Sequence, residues 1–91
     1  MVVIDMKPYK EHRIKDNESI RTFSIENKEE FVWHRDKEDR IIESLDNTDW
    51  LIQFDNELPI QITSEIHIPK NKYHRIIPGE NNELKLKLKK L

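Results

Sequence analysis

Glu83-Leu84-Lys85-Leu86-Lys87-Leu88-Lys89 decides the fold class, because apolar and charged residues alternate along it without a break. Side chains on a strand point to opposite faces in turn, so the stretch predicts a β-strand with leucines on one face and lysines on the other. The lysines suit an edge strand guarded against edge-to-edge association. Upstream, the same reading recurs in shorter pieces at residues 20–23, 31–34, 40–45, 50–54, 59–62, 66–68 and 73–77. Strands at intervals of about 8–12 residues with turn residues between them predict a β-sandwich or barrel. No stretch sustains a helical period; the charged runs 28–30 and 36–40 allow one helical turn at most. The expectation is an all-β domain.

The chain has 91 residues, enough for one domain on the usual scale of about 50 to 250. With 35% apolar and 37% charged residues, the core must be small or shared with a second subunit. Residues 1–18 are charged, contain Pro8 and lack clear periodicity. They predict an N-terminal arm or short edge element that reaches toward a neighbouring subunit, with residues 19–91 forming the β-barrel domain. A net charge of -2 with mixed signs gives no electrostatic footprint for nucleic acid. No apolar run approaches the roughly 20 residues of a membrane helix, and the charged start does not read as a secretory signal. Absence of cysteine excludes disulfides and thiolate metal sites and suits a cytoplasmic protein. Only one glycine is present, and asparagines such as Asn47, Asn56 and Asn71 occupy the turns instead. Asparagine tolerates the left-handed conformation better than most residues.

The chemistry-bearing residues are His34, Asp36 and His74. Two imidazoles and one carboxylate are a ligand set for a divalent ion with positions left open for substrate or oxygen. His-x-Asp on a strand puts both side chains on one face, and a second strand can bring His74 beside them. Iron(II) is the expected ion, with zinc, manganese and nickel as alternatives that the same donors accept.

The spacing resembles that of the cupin family, whose motifs run Gly-x5-His-x-His-x3-Glu-x6-Gly and Gly-x5-Pro-x-Gly-x2-His-x3-Asn. In that frame His34 matches the first histidine, Asp36 stands for the second, Arg40 for the glutamate and Asn47 for the closing glycine. Thr63 stands for the first glycine of the second motif; Pro69 and His74 are retained, Asn71 replaces a glycine, and Pro78 stands for the asparagine. The resemblance covers the chain from Ile20 onward. It implies a small cupin-like double-stranded β-helix barrel. With Asp36 in a histidine's place, the set also looks like the His-x-Asp…His triad of the 2-oxoglutarate- and iron(II)-dependent oxygenases. The implied function is a metal-binding cupin, an iron(II)-dependent dioxygenase-like enzyme acting on a small anionic molecule. The alternative is a non-catalytic ligand-binding or structural cupin with a degenerate metal site.

Arg40 cannot bind a metal, because guanidinium stays protonated; pointing inward, it would clamp the anion. By comparison with cupins, Leu51 and Gln53 face the pocket, with Gln53 orienting a ligand, and Tyr73 stands at the mouth. Trp50, Ile52 and Phe54 then form an outer apolar face, which predicts a homodimer. The opposite assignment makes that face the core and leaves Gln53 in solvent. Glu43 is a rival ligand on the wrong strand parity, and His67 reads as a structural strand residue. His12 has no role.

Overall fold

The computed structural model of the chain describes residues 9–24, 31–80 and 83–91. The strands are β1 (Tyr9–Lys15), β2 (Glu18–Ser24), β3 (Arg40–Ser44), β4 (Leu51–Phe54), β5 (Ile60–Gln61), β6 (Ile66–Ile68), β7 (His74–Ile77) and β8 (Glu83–Lys90). Among the described residues there is no helix, as the patterning predicts. The strands form two antiparallel sheets, a five-stranded one in the order β1-β2-β8-β3-β6 and a three-stranded one in the order β5-β4-β7. The sheets enclose one core, giving the two-sheet, jelly-roll form of the expected fold.

Alternation drives the assembly. Phe23 of β2, Ile42 of β3, Ile52 and Phe54 of β4, Ile68 of β6, Ile76 of β7 and Leu84, Leu86 and Leu88 of β8 are all buried in the core. Each such side chain contributes about 1.5–3 kcal/mol on leaving water. The Leu-Lys stretch is a strand, yet not an edge. β8 lies in the middle of the large sheet, with β2 on one side and β3 on the other. Its lysines face outward because the leucines take the core, and Lys87 reaches Glu43 across the outer surface at 4.0 Å. The edges of that sheet are β1, paired along its length with β2, and the short β6, paired with β3. Residues 1–8 of the expected arm lie outside the described residues, as does the run 28–30.

The assignment of the faces of β4 is corrected. Trp50 and Ile52 are 0% exposed and Phe54 8%, so these three are core within a single chain rather than a free dimer face. Leu51 and Gln53 point away from the core. Burying Trp, Ile and Phe yields more than burying Leu and Gln, and an inward Gln amide would need partners the apolar core does not offer. Thr48, also buried, accepts a hydrogen bond from the Trp50 amide at 3.1 Å and fixes where β4 enters the sheet. No helix among the described residues is long and apolar enough to cross a membrane.

Candidate metal centre

The chain brings His34, Asp36 and His74 together, with one donor atom of each lying within 4.8 Å of the others. Three separate segments cooperate. His74 begins β7 on its inward face; His34 pairs with it as an isolated antiparallel bridge. The His34 amide donates to the His74 carbonyl at 3.0 Å, and the His74 amide returns a bond of 2.9 Å to the His34 carbonyl. The expected strand 31–34 shrinks to this bridge. Asp36 follows two residues later and is anchored through its carbonyl, which accepts from the Asn71 amide at 2.7 Å. Asn71 holds φ at 63°, the left-handed conformation that asparagine tolerates better than most residues.

Both imidazoles are oriented by backbone. His34 Nδ1 lies 2.9 Å from the Val32 carbonyl and His74 Nδ1 lies 2.8 Å from the Lys72 carbonyl. A carbonyl only accepts, so Nδ1 carries the hydrogen in each ring and the lone pair of the neutral ring sits on Nε2. This is the arrangement that fixes metal-ligating histidines elsewhere. The two rings meet edge to face with centroids 4.4 Å apart.

His74 Nε2 stands 3.3 Å from Asp36 Oδ2, an oxygen that is buried and accepts no hydrogen bond. With His74 neutral, a lone pair would face a carboxylate oxygen across that gap. Such an arrangement requires a positive charge between or beside the two atoms, either a proton on the ring or a cation. The donor set therefore fits a divalent ion. Burial is the largest single influence on the Asp36 carboxyl and pushes it up. The contact with His74 and the charges of Arg40, His74 and His34 together outweigh it, holding the group below its ordinary range. Asp36 is thus an anion ready to ligate.

Arg40 lines the cavity, but its guanidinium is engaged. Nη1 lies 3.3 Å from Asp36 Oδ1, while Nε and Nη2 both donate to Glu38 Oε1 at 3.0 and 2.7 Å. The bond from Arg40, foremost, holds the Glu38 carboxyl below its usual value against a smaller opposing effect of burial. Gln53 lies on the outer face of the small sheet, where its oxygen accepts from Arg75 Nε at 3.0 Å and its amide donates to the Glu57 carbonyl. Tyr73 is also outside, 44% exposed, with the Arg35 guanidinium over its ring at 5.3 Å. Strand parity explains both, since each neighbours an inward residue. The structure therefore places neither at the cavity. Glu43 faces Lys87 on the outside, and His67 is exposed beside Asp39 at 3.7 Å.

The three ligand candidates form the polar end of a cavity of about 70 Å³ between the sheets. Arg21, Arg40 and Phe23 also line it, and its remaining wall is Ile42, Ile52, Ile68, Ile76, Leu86 and Leu88. Arg21 was not singled out from sequence. It is buried on β2, with Nε 2.6 Å from Glu11 Oε2 of the neighbouring β1. The signal was its parity, because Arg21 shares a strand face with Phe23.

No protein-family model and no curated protein matches the chain. Solved structures do. A cupin domain from Bordetella pertussis superposes with a TM-score of 0.63 at 14% identity, covering 98% of this chain and 99% of that one. A cupin-2 domain containing protein from Shewanella frigidimarina gives 0.61 at 20% identity over 88% of this chain and 76% of that one. A cupin protein from Bacteroides fragilis gives 0.60 at 11% identity, with coverages of 100% and 81%. The fold is the cupin fold.

Proposed function

We propose that the chain is a small metal-binding cupin in which His34, Asp36 and His74 hold one divalent ion, iron(II) before zinc, manganese or nickel, and that it acts as a dioxygenase-like enzyme on a small anionic molecule. One observation carries the metal reading. His74 Nε2 stands 3.3 Å from a buried carboxylate oxygen of Asp36 that accepts no hydrogen bond, and one donor atom of each of His34, Asp36 and His74 lies within 4.8 Å of the others. Two histidines and one carboxylate with open positions are the set that non-haem iron oxygenases use. Bound there, the ion would supply a Lewis acid and a place for oxygen or a chelating group.

The chain's own residues set what can enter. At about 70 Å³ the cavity is small beside ordinary ligand pockets, so without rearrangement it suits only a small molecule. Its polar end would meet the ion, and its body would lie against Ile52, Ile68, Ile76, Leu86 and Leu88. Arg21 and Arg40 favour an anion there, although Glu11, Glu38 and Asp36 already balance much of their charge.

A second reading has its own support. Asp36 is compensated by Arg40 and His74 at 3.3 Å each, so the set can also serve as a structural ion-pair cluster in a non-catalytic cupin. Metal content decides between them. Tag-free protein purified anaerobically should contain close to one equivalent of metal, lost in His34→Ala and in His74→Ala without loss of the β-type circular dichroism. Protein that takes up no metal from added iron(II) refutes the proposal and leaves the structural reading; loaded protein then goes to an oxygen-consumption screen of small acids.

A further inference from the structure

We infer that Arg40 is a positioning residue that restricts Asp36 to binding the ion through a single oxygen, Oδ2, and so keeps one more metal position open for exogenous ligands than a two-oxygen carboxylate would. The inference rests on the metal reading above and assigns Arg40 a task other than clamping substrate.

The two oxygens of Asp36 have different surroundings. Oδ1 lies 3.3 Å from Arg40 Nη1, whereas Oδ2 faces His74 Nε2 at 3.3 Å and accepts no hydrogen bond. For both oxygens to reach one ion, Oδ1 would have to turn away from the guanidinium. Arg40 cannot follow that turn freely. Its Nε and Nη2 are both held by Glu38 Oε1, at 3.0 and 2.7 Å, and that oxygen also lies 3.8 Å from Lys90 Nζ at the end of the central strand. The Arg40 backbone is equally fixed, because its residue pairs with Ile68 of β6 on one side and Lys90 of β8 on the other. The Asp36 backbone is held by the Asn71 amide at 2.7 Å. A planar fork pinned on one edge presents its remaining edge to the carboxylate in a set direction, which a flexible ammonium would not do.

Positioning and simple electrostatics predict opposite signs. A fixed cation near a metal site repels the ion, so removing its charge should tighten binding if charge were all that mattered. If Arg40 orients the ligand, removing it should weaken binding, by about 10- to 100-fold as is typical of residues that orient metal ligands.

The test uses cobalt(II) as a coloured probe, titrated into wild-type protein and into the Arg40→Gln, Arg40→Lys and Glu38→Gln variants, with circular dichroism of each. We expect dissociation constants raised about tenfold or more in both Arg40 variants and less in Glu38→Gln, with a weaker visible absorption per bound ion as the second carboxylate oxygen joins and coordination number rises. Arg40→Lys keeps the charge and loses the fork, so it should not rescue. Equal or tighter binding with the wild-type spectrum overturns the inference while leaving the metal site standing. Weaker binding with an unchanged spectrum overturns it too, because general loosening of the loop would give that result. Should an Arg40 variant not fold, Glu38→Gln carries the same expectations in direction, with the smaller rise stated above. Wild-type protein that takes up no cobalt overturns the metal reading itself, and this inference with it.

Discussion

Ile52 and Leu51 are neighbours on β4 that point to opposite faces, and truncating each in turn tests which face is the core. Ile52 is 0% exposed and pairs on the inner face with Ile76, so Ile52→Ala leaves a cavity as well as losing buried area. Such changes cost about 2–5 kcal/mol. With a urea slope of about 1–3 kcal/mol per molar, the unfolding midpoint should fall by roughly 0.7–5 M. Leu51 is only partly buried and lies opposite Ile77 on the outer side, so Leu51→Ala should stay within about 1 kcal/mol. Urea denaturation followed by tryptophan fluorescence at two protein concentrations reads both effects, and sedimentation reports any change of assembly. The reasoning fails if Leu51→Ala costs more than Ile52→Ala. It fails equally if Ile52→Ala dissociates an oligomer while leaving monomer stability untouched, since the Trp50, Ile52 and Phe54 face would then be an interface.

Acid should act on the metal-free protein through Asp36. Its folded carboxyl is held below the ordinary value of 3.8, so the stability it contributes is fully present above that value and lost as pH falls through the lower, folded one. Glu38 shifts in the same direction. Thermal unfolding measured downward from pH 5 should therefore fall more steeply in wild-type protein than in Asp36→Asn, and parallel curves would contradict the assignment. At Asn71, where φ is 63°, Asn71→Ala should cost about 1–2 kcal/mol and Asn71→Gly little or nothing. A stabilising alanine would mean that the left-handed turn is not required.

Much of the fold was legible because burial imposes a period of two on these strands. Leu84, Leu86 and Leu88 announced β8, and the segments at 40–45, 66–68 and 73–77 fall on β3, β6 and β7. That β8 is central was not legible, since pairing on both sides depends on β2 and β3, far away in sequence. The motif frame turns β4 the wrong way, whereas the segment's own amphipathicity points correctly: Trp50, Ile52 and Phe54 outweigh Leu51 and Gln53. The same frame turns Gln53 toward the cavity, whereas Arg21, on β2, lies outside that frame and shows itself only by sharing a strand face with Phe23. The ligand candidates themselves were legible from His-x-Asp and the later histidine. Their support was not, because the carbonyls of Val32 and Lys72 and the amide of Asn71 are backbone groups that any sequence would offer.

Those backbone groups explain how the site is held with little help from neighbouring side chains. His34 and His74 are joined by a reciprocal pair of amide–carbonyl bonds, and each ring is turned by a carbonyl two residues before it. Asp36 is held at its carbonyl by the turn that Asn71 makes possible. None of these bonds depends on the side chains at positions 32 and 72, nor on a glycine, provided the residue at 71 accepts a left-handed conformation. What the chain must keep is therefore short: two imidazoles, one carboxylate, and a residue at 71 that tolerates positive φ. Arg40 is compatible with that list, since its Nη1 lies 3.3 Å from Asp36 Oδ1. A cation there would be costly beside a bare divalent ion, but Glu38 offsets its charge through two bonds to one oxygen at 3.0 and 2.7 Å. Arg40 and Glu38 thus act as one unit beside Asp36.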